Sequence, residues 1–403
     1  MKSSLGISTP QGDSGTLSLE DRLYLFGYDR SSLAEAAVSL TMPVRSRQYE
    51  SQALHPVFQM NLPEGFMLEE LRHRLAKTLQ LDDMALLAIS GSQAPIGRIQ
   101  VDPTEMTRGL LKRPGTQRGE SLTEILAWDG QENIFSELVD KYITRAGISG
   151  VQPKVLVPQA LEGIGAQARA TFLAQDLIVK SGREEYPGLA ANEYLCMLMA
   201  REAGIPVPEF YLSRNRQLFV MKRFDRSAQG VAMGFEDMAV LGGLSAREKY
   251  DRSYAFIARL IQSFASPEHV ATSLRSLFDR VALSCIVGNG DAHLKNFGLL
   301  YSDPTTQDCQ LAPAYDIVNT TAYIPEDALA LELHGQRSFF ASREGLLQFA
   351  KACDVPEPVE RIQALILTAE QVLREQEDIA AGIPHVAQAI QAGIDAYSKT
   401  FLD

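Results

Sequence analysis

Short apolar runs separated by polar residues fill the first third of the chain. Leu23–Tyr28, residues 37–40 and Val57-Phe58 read as strands, and residues 96–101 alternate with the period of two of a half-buried strand. Leu68, Leu71, Leu75 and Leu79 recur at helical spacing. Strand-like runs return at 155–157, 176–180 and 218–224. Between the last two lies a helix over 192–203. Asn192 is its early cap, Leu195, Leu198 and Met199 its apolar stripe, and Gly204 and Pro206 its stop. Beyond about residue 225 the period becomes helical. Ile257, Leu260, Ile261 and Phe264 share one face, Ser266-Pro267-Glu268 starts a second helix, and Val270, Leu274, Leu277, Phe278 and Val281 continue it. Further stripes run through Val359, Ile362 and Ile366, and through Val386, Ile390, Ile394 and Tyr397. Strands first and helices later predict an α+β, two-lobed arrangement. The expected divisions are a flexible tail over 1–17, a small α+β module over 18–125, a β-rich lobe over 126–235 and a helical lobe over 236–403. A Pro-containing polar stretch over 102–119 reads as a linker.

Composition narrows the function classes. The 403 residues are 45% hydrophobic and 22% charged, which excludes disordered, collagenous and disulfide-dense chains. A net charge of −12 argues against a chain that wraps nucleic acid by itself. Cys196, Cys285, Cys309 and Cys353 lack C-x-x-C spacing and read as buried thiols in a reducing compartment. The polar start lacks the pattern of a secretory signal, and no apolar run approaches the ~18 residues that span a bilayer. A cytoplasmic protein without a membrane partner is expected.

The chemistry concentrates in residues 288–298, Gly-Asn-Gly-Asp-Ala-His-Leu-Lys-Asn-Phe-Gly. Asp291 and Asn296 have the D-x-x-x-x-N spacing that separates the base from a metal-binding Asn in protein-kinase catalytic loops. Twenty residues after Asn296, Asp316 stands where a second Mg²⁺ carboxylate would fall. Upstream, Lys180 ends a strand and precedes a helix carrying Glu193, the device that orients ATP phosphates; Lys154, in a Gly-flanked loop, could serve them instead. Each element alone has a plainer reading, as a capped turn, a solvated strand end or a loop residue. Their order together favours phosphoryl transfer. Residues 163–168 match G-x-G-x-x-A but lack the following helix, so they read as a hairpin loop. Asp82-Asp83 reads as a solvated helix terminus, Gly242-Gly243 as a turn, and Trp128 as packing.

Residues 148–154, 192–194, 222–226, 290–296 and 315–316, in that order, resemble the HipA serine/threonine kinases, toxin components of bacterial HipBA-type toxin–antitoxin systems. The resemblance runs from about residue 20 to 390. It implies a kinase-like fold with ATP and Mg²⁺ as cofactors, Asp291 as catalytic base, and Asn296 and Asp316 as metal ligands. It implies Val151, Gln152, Pro153, Lys154, Val155 and Leu156 as the ATP loop, Lys180 on the phosphates, and Lys222, Arg223 and Phe224 beside adenine. His293, Leu294, Lys295, Asn296, Tyr315 and Asp316 complete the implied ATP site. Ser149 matches a serine whose autophosphorylation ejects the loop and silences the kinase. Lys222 and Pro153 depart from members with acidic residues there, which bears on hinge contacts and on regulation. The resemblance further implies a helix-turn-helix antitoxin partner, through which alone the chain meets DNA, and a substrate such as an aminoacyl-tRNA synthetase. A catalytically silent corepressor and a small-molecule or lipid kinase are the alternative readings.

Overall fold

The computed structural model of the protein describes residues 3–75, 81–104, 119–129, 134–145, 152–160, 176–182 and 184–402. The first body is an antiparallel five-stranded sheet in the order β4-β3-β2-β1-β5, from β1 (Ser3–Thr9), β2 (Gly12–Glu20), β3 (Leu23–Tyr28), β4 (Tyr49–Ser51) and β5 (Gln100–Val101). The expected flexible tail is therefore corrected to a strand pair. Leu5, Ile7 and Thr9 alternate inward along β1, and the small residues between them are the outward positions. A glycine there signals close approach, since a Cβ on Gly15 would lie 2.1 Å from the carbonyl oxygen of Gly27. Three more strand expectations change. Val57 and Phe58 lie in the short helix Pro56–Gln59, started by its proline. Residues 37–40 form only a bridge between Ser39 and Met42. Of 96–101, only the last two residues are strand, because Gly97 turns at φ +75° and gives its N–H to Asp225. The helix expected from Leu68 runs Gly65–Leu75; most of the proposed linker, all of the 163–168 hairpin, and Ser149 and Val151 lie outside the described residues.

The second body is an antiparallel sheet in the order β6-β7-β9-β8, from β6 (Lys154–Pro158), β7 (Asp176–Ser181), β8 (Phe210–Leu212) and β9 (Leu218–Lys222). The central positions of its strands are apolar because both faces are covered. Val155, Val157, Leu177, Val179, Leu218 and Val220 face the helices Leu122–Ala127 and Ile134–Tyr142. Leu156, Ile178, Phe219 and Met221 face the helix Leu189–Glu202 and the main core. Lys154 and Lys180 share that second face by parity and pair directly across β6 and β7. Asn192 is not a cap: the helix begins at Leu189 after Gly188 at φ +75°, and Asn192 is buried within it.

The third body joins β10 (Gly234–Asp237), β11 (Gly298–Tyr301) and β12 (Gln310–Leu311) to a helical bundle. β10 pairs with β11, so this lobe starts at Gly234 rather than after residue 235. The bundle packs Pro267–Val287 against Pro358–Glu375 and Pro384–Phe401. Their closest approach needs a glycine, since a Cβ on Gly393 would lie 2.1 Å from the carbonyl oxygen of Ile286. Gly393→Ala should cost about 1–3 kcal/mol despite its better helix propensity, because the obstacle is backbone. Urea titration checks this, and an unchanged midpoint would show that the helices separate freely.

Buried charge holds the first module to the other two bodies. Arg223 bonds both oxygens of Asp225, at 2.8 and 2.6 Å, and reaches Asp176 and the Pro95 carbonyl. The Asp225 carboxylate also accepts the Gly97 N–H at 2.7 Å. Glu236 on β10 accepts from Ser39, from the Leu40 N–H and from Tyr301.

Candidate active site

A cavity of about 660 Å³ opens where the three bodies meet. Its floor holds a buried charge centre. Two lysines directly opposed across strands would repel, so the pair needs carboxylates. Lys180 Nζ donates to Glu193 Oε1 at 2.6 Å and also to Asp316 Oδ1. Burial alone would lower the Lys180 pKa, but Asp316 and Glu193 carry it above its ordinary value. Burial pushes Glu193 up, against the pull of Lys180. At Asp316 burial also pushes up, but Lys180 and Lys154 overcome it and hold the carboxyl well below the usual range. Burial lowers Lys154, and Lys180 adds to the effect while Asp316 opposes it. Asp316 sits at φ +53°, a conformation that non-glycine residues seldom adopt and that recurs at functional sites.

The loop carrying Asp291 is fixed from both sides. The helix Pro267–Val287 ends at Gly288 at φ +72°, and the Asn289 side chain accepts the Asp291 N–H at 3.0 Å. Gly290 donates to Thr320 Oγ1 at 2.8 Å, and the Asn319 amide donates to the Val287 carbonyl at 2.7 Å. Asn192 exchanges two hydrogen bonds with the Asn319 backbone, at 2.8 and 2.9 Å, tying the helix that bears Glu193 to this loop. Asp291 faces the cavity with 52% of its side chain exposed, and its Oδ1 accepts from Tyr250 Oη at 2.8 Å. Enclosure raises its pKa, partly offset by the Tyr250 hydrogen bond and by Lys249. Burial pushes His293 down to about 3, so its ring is neutral. On the first module's side, Glu64 pairs with Lys295 Nζ at 2.6 Å.

Residues 146–381 match the model of the HipA-like C-terminal domain, and residues 5–102 that of the HipA N-terminal domain. The chain belongs to the HipA family. Y4dM of Sinorhizobium fredii is 33% identical over 231 residues, 53% of this chain and 55% of Y4dM, so the match spans about half that relative's length. A Haemophilus influenzae relative is 30% identical over 279 residues, covering 63% of this chain and 76% of its own. Y4mE of S. fredii is 28% identical over 385 residues, 88% and 87% of the two chains. Among solved structures, the fold is similar to a chain from the Shewanella oneidensis MR-1 toxin–antitoxin complex of HipA, HipB and operator DNA. That match has a TM-score of 0.70 at 19% identity and covers 98% and 97% of the two chains. The two-lobed α+β architecture with a sheet-rich N-terminal module is thus the HipA fold. Among the described residues no helix is long and apolar enough to cross a membrane.

In this HipA-family chain, Asp291, Asn296, Asp316, Lys154, Lys180 and His293 all line the one cavity, as do Gln152, Phe224, Lys295 and Tyr315. Glu193 stands behind Lys180. Other expected ATP contacts point elsewhere. Lys222 has the parity of the far sheet face and pairs with Glu209 at 2.6 Å, away from the cavity. Val155 packs on that same far face, while Leu156 and Leu294 are buried in the main core. Pro153 gives its carbonyl to the Ser181 N–H. The Arg223 side chain borders the cavity but is committed to Asp225 and Asp176. Residues missed in the sequence include Tyr250, Glu64, Ile96, Phe235 and Asp237. Glu64 lies 231 positions from its partner Lys295, and no local pattern joins them.

Among the described residues no group of three or more His, Cys, Asp or Glu could hold a metal by itself. The donors present nonetheless fit Mg²⁺ shared with phosphates, which needs few protein oxygens. The Asn296 amide donates its N–H to the Asp291 carbonyl at 3.0 Å, which leaves the amide oxygen as the end available to a cation. Lys180 and Lys154 hold the Asp316 carboxyl well below the usual range, and with Oδ1 bonded to Lys180 the other oxygen is the end that a cation would meet.

Proposed function

We propose that this protein is an ATP- and Mg²⁺-dependent serine/threonine kinase, acting as the toxin of a type II toxin–antitoxin system. The observation that carries the reading is the convergence in one cavity of the Lys180–Glu193 pair, Asp316, Asn296 and Asp291. The three curated relatives bear the word kinase in their names. Lys180 and Lys154 would meet the ATP phosphates, with Lys180 moving from Asp316 onto phosphate oxygens. Asn296 and Asp316 would hold Mg²⁺, which supplies neutralising charge at the phosphates. Asp291 takes the proton of a Ser or Thr hydroxyl as that oxygen bonds the γ-phosphorus and ADP leaves. Phe224 and Tyr315, stacked at 5.4 Å, with Ile96 and Met221 nearby, offer the apolar region that suits a purine.

The proposed target is a translation component such as an aminoacyl-tRNA synthetase, and Ser149 is the proposed autophosphorylation site. A small helix-turn-helix antitoxin, like the HipB of the Shewanella complex, would carry the contact with DNA, in keeping with a net charge of −12. Phosphoproteomics of cells expressing wild type or Asp291→Ala tests the whole reading. Protein phosphosites lost in the variant are expected. Phosphate on a metabolite only would support a small-molecule kinase, and no change with intact operator repression would support a silent corepressor.

A further inference from the structure

The acceptor side of Asp291 is already occupied. Tyr250 Oη donates to Asp291 Oδ1 at 2.8 Å, the hydrogen bond that a kinase base makes with the hydroxyl it deprotonates. The Tyr250 backbone and one side of its ring are held in place. The preceding turn carries a capping box between Ser245 and Glu248, and the Lys249 carbonyl accepts the Leu294 N–H from the catalytic loop at 3.1 Å. Arg337 bonds the Tyr250 carbonyl at 2.7 Å. The His293 ring meets the phenol edge-on at 5.1 Å, and Lys249 Nζ lies 5.0 Å from its centroid. Yet Tyr250 keeps 37% of its surface exposed at the cavity wall, so it can swing out without opening the core.

We propose that Tyr250 stands in for the acceptor hydroxyl on Asp291 whenever no acceptor is bound, so that the true acceptor must displace it and water cannot use the base. This rests on the kinase reading above. With ATP bound and the base uncovered, water would react as an acceptor. Its oxygen bonds the γ-phosphorus, the bond to the β-phosphate oxygen breaks, Asp291 takes the proton, and ADP and phosphate leave. The phenol occupies the base and puts a ring where that water would stand. Arg337, Lys249 and Asp327 border the same cavity, so the subsite that Tyr250 vacates has charged walls of both signs.

Tyr250→Phe keeps the ring and removes the hydroxyl. The test is carried out in a Ser149→Ala chain, so that modification of that serine does not end turnover. ADP is measured with Mg²⁺ and ATP and without a protein acceptor, beyond one equivalent per chain. Tyr250→Phe should raise the steady rate several-fold, and Asp291→Ala in the same chain should abolish the rise. A rate that is unchanged or lower, or a rise that survives Asp291→Ala, overturns the proposal. A residue that merely orients Asp291 would lower the rate when lost. Binding of a non-hydrolysable ATP analogue with Mg²⁺ is measured in parallel. Lack of binding by every chain overturns the kinase reading itself, whereas binding without a rise in hydrolysis overturns only the role of Tyr250.

Discussion

Asp291→Asn should slow phosphoryl transfer by about 10²–10⁴-fold, the contribution of a positioned general base, and leave binding of Mg²⁺ and ATP nearly unchanged. The asparagine has the same shape and can still accept from Tyr250, so the loop anchored by Asn289, Thr320 and Asn319 keeps its course. Only the proton acceptor is lost. Asn296 and Asp316, the proposed metal ligands, are untouched. Transfer of labelled phosphate measures the rate, and titration with a non-hydrolysable analogue measures binding; a variant within tenfold of wild type would remove Asp291 from the mechanism. The pH profile gives a second reading. As the proposed base, Asp291 would work only when ionised, and enclosure raises its pKa, so the acid limb should lie above the ordinary carboxylate value of ~3.9. The Tyr250 hydrogen bond opposes that rise, so Tyr250→Phe should move the limb to higher pH.

That chain order gathers the site residues around one cavity was legible in the sequence. Asp291, Asn296 and Asp316 sit at fixed offsets, and Lys180 and Glu193 follow from a strand running into a helix. Lys154, expected in a Gly-flanked loop, is instead the first residue of β6, where strand parity places it on one face with Lys180. The same rule puts Lys222 on the opposite face from Met221, so the side chain that the resemblance placed beside adenine pairs with Glu209 instead. The first seventeen residues misled for another reason. Their glycines and serines allow strands to approach closely and form outward positions, and composition alone cannot tell that use from looseness. Contributions from the first module, Glu64 on Lys295 and Ile96 at the cavity wall, depend on packing between bodies far apart in the chain. So does Tyr250, which reaches Asp291 across 41 positions.

That packing between bodies is what Asp225→Ala would expose, with an expected loss of about 3–5 kcal/mol, the cost of breaking a buried ion pair from one side. Asp225 is 4% exposed and accepts from Arg223, Arg226 and the Gly97 N–H. Removing it strands the Arg223 guanidinium, itself buried, with Asp176 at 3.3 Å as its remaining carboxylate. It also leaves the Gly97 N–H without its acceptor, at the turn before β5. Burial alone would raise the Asp225 pKa, but Arg223 and Arg226 bring it down to about 2. A folded-state pKa below the unfolded value of ~3.9 means that the carboxylate stabilises the protein fully above that value. This share of stability is lost as pH falls through about 2. Urea titrations at neutral pH and between pH 4 and 2 should therefore converge for wild type and Asp225→Ala as the solution becomes acid. A constant gap across that range would assign the loss to packing rather than charge. The double variant Arg223→Met with Asp225→Leu separates the two further: with no charge left stranded it should regain much of the lost stability. Because Arg223 and Ile96 both border the cavity, the double variant should also show whether the ion cluster serves the fold alone. Recovered stability with weakened binding of the ATP analogue would mean that these charges hold the first module in place as a wall of the site.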